Sequence, residues 1–597
     1  MVWRILWLVR QVIYKLSEEI DMKRTGKVLC MLLILSFLLP VMASAESRPF
    51  ADVPENHFAY EAICRMKELN ITGGVGNNRF GMGQTVTRGE FITFLIKLTG
   101  WEQVRPVQGS FKDNTDPNRF YYGPIETALQ HGVILKDSDF FRVDDPITRE
   151  EMAVMIVRAL GYDALARQLS YLNSFSDVST NKGYMTIAKD FGIMSGTGGQ
   201  TFSPDKTATR EEAAYMLMKM YDKLHADIRE LHGFYAISSY SQVNLLSSLD
   251  SVSFGWSRLE YDPASGKVIL NTSRQNDNEY GFPQGFSEVL DRANEIGLST
   301  QLMVAVKNET VADPATGAKV PLTEYILRPG IRSSVIRNIA EQVNADSKDG
   351  YPLSFDGVVI DIEGLRADAK EAFNAFLKEL RQELDKTGKL LYVAVQPARR
   401  PGQAYYDGYD FKTIGEIADK VILMAHDYYA RQLTDEEMAA GYTTTPLTPI
   451  DEVYYALKAA TDKTTGVQDP GKIMLQISFD AVQWKKKDGA VVNRTPLNVS
   501  YETLHKRLLM DGVSIQYSDF SQNPYASYTD PQDGTENIIW YEDARSVKAK
   551  LKLAAMFGIG GISLWRLGNI PDYPDVNQEL FLNVWDSILQ FAGRPSN

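Results

Sequence analysis

The spacing of hydrophobic positions along this chain changes near residue 231. Before it, apolar residues recur at helical intervals, as in Ala62 to Leu69 and Ile187 to Phe191, each followed by a glycine-rich turn, Thr72-Gly73-Gly74 and Gly196-Thr197-Gly198-Gly199. After it, short β-branched runs alternate with helical stretches. The runs predict strands at Gly233–Ser238, Val252–Trp256, Ser299–Val306, Gly357–Glu363, Leu390–Gln396, Lys420–His426, Lys472–Ser478 and Gly561–Trp565. One intervening helix is explicit over 366–386, where Phe373, Phe376, Leu377, Leu380 and Leu384 share a face and Lys, Glu, Arg and Gln fill the other. Eight strands separated mostly by helices predict a (β/α)8 TIM barrel, an α/β fold. The open doubly wound sheet is the alternative, but no G-x-G-x-x-G follows its first strand. Residues 480–538 make a gap too long for a structureless loop. An alternating run over 490–499 and a helical pattern over 501–510 predict a small α+β insertion there, forming a wall of the cleft.

The fourth run, Phe355 to Glu363, ends in two carboxylates. With a side-chain period of two, Gly357, Val359, Asp361 and Glu363 share one face while Val358, Ile360 and Ile362 share the other. Many strand ends carry solvated carboxylates. In a barrel, however, the carboxyl ends of the strands are where chemistry is done, and the other ends supply matching groups: Gln396, His426, Asp427 and Trp565, with Tyr428 following. Carboxylates, an amide and a tryptophan at one mouth describe a sugar site, because Trp stacks on apolar sugar faces and the polar groups bind hydroxyls.

The first third of the chain repeats itself. Thr87-Arg88-Gly89-Glu90, Thr148-Arg149-Glu150-Glu151 and Thr209-Arg210-Glu211-Glu212 recur at intervals of 61 residues. Each follows an F-x-D element: Phe50-Ala51-Asp52, Phe111-Lys112-Asp113 and Phe175-Ser176-Asp177. Thr with Glu three residues later is a capping box for a helix start. An arginine in all three first turns is not explained by capping, since that position favours acidic residues. Arg88, Arg149 and Arg210 are therefore expected to be exposed anion ligands.

Composition narrows the function. At 597 residues, 44% hydrophobic and 23% charged, the chain is globular and long enough for two to four domains. A net charge of −13 gives no electrostatic support to a nucleic-acid partner. With two cysteines, Cys30 and Cys64, and six histidines outside any ligand pattern, neither a disulfide framework nor a metal motif is expected, and no cofactor is implied. Lys23, Arg24 and Lys27 before the apolar run Val28 to Leu39, then Ala43-Ser44-Ala45, read as a secretory signal peptide cleaved after Ala45, with Met22 a candidate start. Removing residues 1–45 would delete six Lys/Arg and three Asp/Glu and leave a charge of −16, with no transmembrane anchor remaining.

Two resemblances follow from these residues. The three T-R-x-E units, over 48–105, 106–165 and 170–224, resemble S-layer homology domains, all-α modules that bind pyruvylated secondary polymers of the bacterial cell wall. That resemblance implies that Arg88, Arg149 and Arg210 face carboxylate-bearing sugars while Asp52, Asp113 and Asp177 help hold each unit's start. The second unit departs in having Phe141-Arg142-Val143-Asp144 where the third has Phe202-Ser203-Pro204-Asp205.

Over 231–590, Asp356-Gly357-Val358-Val359-Ile360-Asp361-Ile362-Glu363 resembles the D-G-x-D-x-D-x-E signature of glycoside hydrolase family 18. Met424-Ala425-His426-Asp427 resembles its M-x-Y-D strand, and Trp565 its last-strand tryptophan. The run Trp540 to Gly568 is similar to the branch that hydrolyses bacterial cell-wall and spore-cortex glycans. The resemblance implies substrate-assisted retaining hydrolysis, with Glu363 as general acid and base and the acetamido oxygen of the sugar as nucleophile. Asp361 would hold the acetamido N–H and help keep Glu363 protonated. Gln396, His426, Asp427, Tyr428 and Trp565 would bind the sugar. Val359 stands where the family has its first inward Asp, and His426 where it has Tyr. The expectation is a secreted protein at the cell surface that acts on β-1,4-linked N-acetylglucosamine glycans, peptidoglycan first and chitin second. The competing class is a glycan-binding or structural wall protein that keeps the barrel.

Overall fold

The computed structural model describes residues 49–226, 228, 230–313, 316–400, 406–429, 431–574 and 580–595. The expected signal peptide, with Cys30 and Met22, lies outside them. The described chain divides into two compact units, one of residues up to Thr85 with Thr209–Tyr215, the other of Val86–Ala208 with Met216 onward. This differs from a division by repeat: the first turn of the third repeat's helix belongs with the first repeat.

In the smaller unit, helix α1 (Tyr60–Glu68) buries Ala62, Ile63 and Met66. The Asp52 carboxylate accepts the backbone N–H groups of Phe80 (2.7 Å), Gly81 (2.8 Å) and Met82 (3.1 Å), fixing the loop ahead of the next helix. Arg210 donates from Nε to the Phe80 carbonyl (3.0 Å) with its guanidinium over the Phe80 ring, and Glu211 accepts from Gly83 N–H at 3.0 Å.

The larger unit repeats that arrangement. Helices α2 (Arg88–Thr99) and α3 (Arg149–Ala159) both start on a complete capping box, Thr87 with Glu90 and Thr148 with Glu151. Asp113 accepts the N–H groups of Phe141, Arg142 and Val143, and Asp177 those of Phe202 and Ser203. Arg88 donates from Nε to the Phe141 carbonyl (2.8 Å), and Arg149 to the Phe202 carbonyl (2.9 Å) and from Nη2 to the Ser195 carbonyl (2.7 Å). Each arginine thus reaches the phenylalanine loop of the next repeat in cyclic order.

From Glu230 the chain forms a closed eight-stranded parallel barrel. Its strands are β1 (Glu230–Tyr235), β2 (Ser251–Asp262), β3 (Ser299–Val306), β4 (Gly357–Asp361), β5 (Leu390–Val395), β6 (Lys420–Leu423), β7 (Ile473–Ser478) and β8 (Gly561–Trp565). Each pairs with the next, and β8 pairs with β1 to close the barrel. Seven of the eight predicted strands overlap the observed ones to within three residues at either end. The first is shifted, lying at 230–235 rather than 233–238, and the second continues to Asp262 because it turns into a hairpin with Lys267–Asn271. The helix predicted over 366–386 is observed as Lys370–Asp385, with all five anticipated apolar residues buried.

The barrel interior alternates as a pleated strand requires. Phe234, Met303, Val359, Tyr392, Ala394, Ile422, Met424 and Met474 meet in one apolar cluster, so Val359 faces inward with Asp361 above it. Among these apolar groups lies buried His232, whose Nδ1 and Nε2 meet the hydroxyls of Ser563 and Ser253, each at 2.8 Å. Burial pushes its imidazole down to about 3, so the ring is neutral.

The insertion after β7 is an antiparallel sheet of Val482–Lys487, Ala490–Val491, Leu497–Asn498, Ser514–Ser518, Asn523–Thr529 and Glu536–Trp540, with one helix, Tyr501–Leu508. The predicted helix is there, but the run over 490–499 supplies only two short strands. The sheet packs Val482, Trp484, Ile538 and Trp540 against Tyr429, Leu433 and Leu447. It buttresses the loop that leaves β6.

Candidate active site

The carboxyl ends of the strands surround a cavity of about 250 Å3, lined among others by Asp361, Glu363, Gln396, His426, Asp427 and Trp565. These residues come from β4, β5, β6 and β8 or the first positions after them. The insertion contributes no lining residue.

Asp361 ends β4, and Glu363 follows two residues later at the rim, its residue partly exposed while its carboxyl is turned into the cavity. The Oδ1 atom of Asp361 is buried without a hydrogen-bond partner. Burial raises the Asp361 carboxyl well above the usual range, and neighbouring Glu363 adds to the rise. Desolvation by the cavity walls likewise raises Glu363, while His426 opposes that shift and Asp427 reinforces it. Both carboxyls therefore release a proton less readily than free carboxyls do. Gln396 is fixed by accepting from Gly364 N–H (2.7 Å) and the Tyr409 hydroxyl (3.2 Å), which leaves its amide nitrogen 3.4 Å from Glu363 Oε2.

Across the cavity, His426 Nε2 donates to Gln476 Oε1 at 2.7 Å and Nδ1 lies 3.4 Å from Asp427 Oδ2. Burial works against a charge on the imidazole, but Asp427 and the hydrogen bonds outweigh it and raise His426 to about 9. Burial likewise opposes charge on Asp427, and His426 with Arg431 overcomes it, holding the carboxyl at about 2. Asp427 sits in the left-handed backbone region (φ 59°), which Asp tolerates better than most residues. Asp480, just past β7, is pushed up to about 6 by burial and by Asp427.

Several anticipated residues stand elsewhere than expected. Tyr428 does not line the cavity; its ring lies 4.8 Å beneath the Arg399 guanidinium. The arginines of the repeats are not exposed: Arg149 and Arg210 are 5% and 2% accessible because they are bound to the neighbouring loop. Arg88 is mostly covered and pairs with Glu151, but it borders a groove of about 550 Å3 with Arg142 and Arg158. Asp52, Asp113 and Asp177 are occupied by backbone N–H groups, so they serve the loops. Sequence reasoning missed Tyr280, Arg431 and Gln476 in the cavity, and Asp480 beside it. Gln476 carried a usable signal, a polar residue at an inward position of an otherwise apolar strand. Tyr280 and Arg431 sit on loops with no periodicity to announce them.

Residues 324–569 match the family described as Glycosyl hydrolases family 18, and residues 49–92, 114–153 and 174–214 match the S-layer homology domain. This chain carries three S-layer homology repeats and a family 18 glycosyl hydrolase domain. The family 18 domain is similar to the cortical fragment-lytic enzymes of Bacillus anthracis, 27% identical over 252 residues covering 41% of this chain and 53% of that protein. It is likewise similar to that of Bacillus subtilis (strain 168), 29% identical over 224 residues covering 36% and 47%. The chain spans about half the length of these curated relatives. Among solved structures, the spore cortex-lytic enzyme SleL of Bacillus cereus is 23% identical, with 61% of this chain and 75% of that one covered and a TM-score of 0.45. The S-layer homology repeats indicate cell-surface association. No helix among the described residues is long and apolar enough to cross a membrane.

Proposed function

We propose that this protein is a surface-anchored glycoside hydrolase that cleaves β-1,4-linked N-acetylglucosamine glycans, peptidoglycan before chitin, by substrate-assisted retention. The observation that carries the reading is the pair Asp361 and Glu363. Both carboxyls are raised, and they share a tryptophan-walled cavity at the barrel mouth. A carboxyl that holds its proton more tightly than a free one suits a general acid. Glu363, at the open rim, protonates the glycosidic oxygen and afterwards activates water. Asp361, on the same face and deeper, accepts the acetamido N–H and steadies the positive charge as the acetamido oxygen closes on the anomeric carbon. The names of the relatives favour a wall or cortex glycan over chitin.

In the same reading, the repeats hold the protein to a secondary cell-wall polymer through the groove bordered by Arg88, Arg142 and Arg158, whose guanidinium groups suit carboxylates.

The test is release of reducing ends from peptidoglycan and from chitooligosaccharides by the full chain and by Glu363→Gln. Release by the wild type and a fall of about 10²- to 10⁴-fold in the variant are expected. Equal behaviour of the two on every N-acetylated glycan would leave the second reading, a glycan-binding wall protein. That reading is favoured by apolar Val359 beneath Asp361. For the anchor, retention on purified walls should vanish once secondary polymers are extracted.

A further inference from the structure

The chain is acidic, with 76 Asp and Glu against 63 Lys and Arg, yet one hollow in it carries the opposite charge. It lies within the larger unit, where the ends of α2 and α3 and the last turn of the helix Arg210–Leu224 meet two barrel helices, Ala544–Phe557 and Val584–Phe591. Its volume of about 510 Å3 falls in the range of small-molecule sites, roughly 300–1,000 Å3. Among the described residues that line it, Lys223, Lys548 and Lys552 bring ammonium groups, and no Asp or Glu answers them. It shares no lining residue with the barrel mouth or with the groove of Arg88, Arg142 and Arg158.

Lys548 and Lys552 stand one turn apart on the same helix, a pairing of like charges that weakens a helix unless something else uses it. Neither has an ion pair or hydrogen bond among the described residues. Loss of water contact, and then Lys548, lower the Lys552 ammonium, and no carboxylate opposes the shift. Lys223 donates to the Met556 carbonyl at 2.7 Å, near the C-terminal end of that helix, and burial followed by Lys219 lowers it in the same way. A carbonyl takes one of its protons and leaves its charge unanswered. Tyr162 belongs to the wall and is 4% accessible, and its hydroxyl has no hydrogen-bond partner among the described residues. Burial raises that phenol, so it stays a donor. His225 spends Nδ1–H on the Tyr221 carbonyl (2.8 Å), which leaves Nε2 of the neutral ring as an acceptor for a hydroxyl. Leu160, Met556 and Phe591 give the hollow an apolar side. Arginine, whose planar fork matches carboxylates, is missing from the lining, whereas lysines act as point charges that suit the tetrahedral oxygens of phosphate.

We propose that this hollow is a binding site for a phosphate ester carried on a sugar, its phosphate held by Lys548 and Lys552 with Tyr162 as a neutral donor and its sugar hydroxyls served by His225. The site stands whether or not the barrel hydrolyses glycans. Calorimetric titration of the full chain would compare glucose 6-phosphate with glucose, glucuronate and inorganic phosphate. Glucose 6-phosphate should bind at least about tenfold more tightly than the other three, and less tightly as ionic strength rises. Lys548→Gln with Lys552→Gln should weaken it at least about tenfold, and Tyr162→Phe about three- to tenfold, neither lowering the melting temperature. A phosphate-bearing wall glycan titrated beside the monomer separates the two sources of the ester: tighter binding of the glycan assigns the site to the wall, tighter binding of the monomer to a soluble sugar phosphate. No binding of glucose 6-phosphate, equal affinity for glucuronate or for inorganic phosphate, or an affinity unchanged in either variant would overturn the proposal.

Discussion

The arginines of the repeats and the carboxyls of the barrel mouth are the two most conspicuous charged motifs in the chain, and the protein treats them in opposite ways. Arg149 and Arg210 are buried and bound by carbonyls of the neighbouring repeat. Asp361 is also deep, yet one of its oxygens has no partner at all. Buried polar groups are nearly always satisfied, and leaving one unmade costs about 1–3 kcal/mol. A recurring residue that the fold satisfies is therefore architecture, whereas Asp361 combines an unsatisfied oxygen with a place in the cavity wall. Recurrence alone did not separate the two.

Substitutions can break this contrast. The largest effect is expected from Asp361→Asn. Hydrolysis should fall about 100-fold or more, at the lower end of what acid–base partners contribute, while the melting temperature holds or rises. The folded state already disfavours the aspartate charge, and an amide of the same shape removes that burden. A clear loss of stability would move Asp361 to the architectural side. Arg149→Ala should do the reverse, stripping charged hydrogen bonds from the carbonyls of Phe202 and Ser195. A cost of about 2–3 kcal/mol in chemical denaturation is expected; an unchanged midpoint would restore the arginine to a ligand role.

The smallest effect sharpens the comparison. His426 is raised from 6.5 to about 9 by Asp427 against the pull of burial. A base with a raised folded pKa contributes its full stability below its unfolded value and loses it as pH climbs through the folded one. The melting temperature should therefore drop as pH rises from 6.5 through about 9, and His426→Gln should flatten that slope. A slope equal in both proteins would mean that the pair adds nothing to the fold.

How much could be read in advance depends on what each residue answers to. The barrel strands were legible because burial on both faces forces unbroken β-branched runs such as Val358 to Ile360. Asp361, Glu363 and Asp427 were legible because strand ends have a fixed address in a barrel. The insertion was half legible: Ser514–Ser518 and Asn523–Thr529 mix Ser, Gln, Asn and Tyr on half-exposed faces, so no apolar alternation marks them. Tyr280 was illegible because its place depends on Glu260, Asn271 and Asn278 closing a loop, a tertiary event without local period. The exposure expected of the arginines failed for a related reason: a first-turn residue looks outward only until another repeat covers it.

That cyclic exchange of arginines also sets a timetable. Phe80 and its partner Arg210 are 130 positions apart, and Gly83 and Glu211 are 128 apart. A chain emerging from its N-terminus, at roughly 5–20 residues per second during synthesis, cannot finish the first repeat when that repeat appears. It must wait several seconds for the third. Long-range closure of this kind slows folding relative to a string of self-contained helical hairpins. The first repeat is thus completed late, with the opening segment the last to be secured.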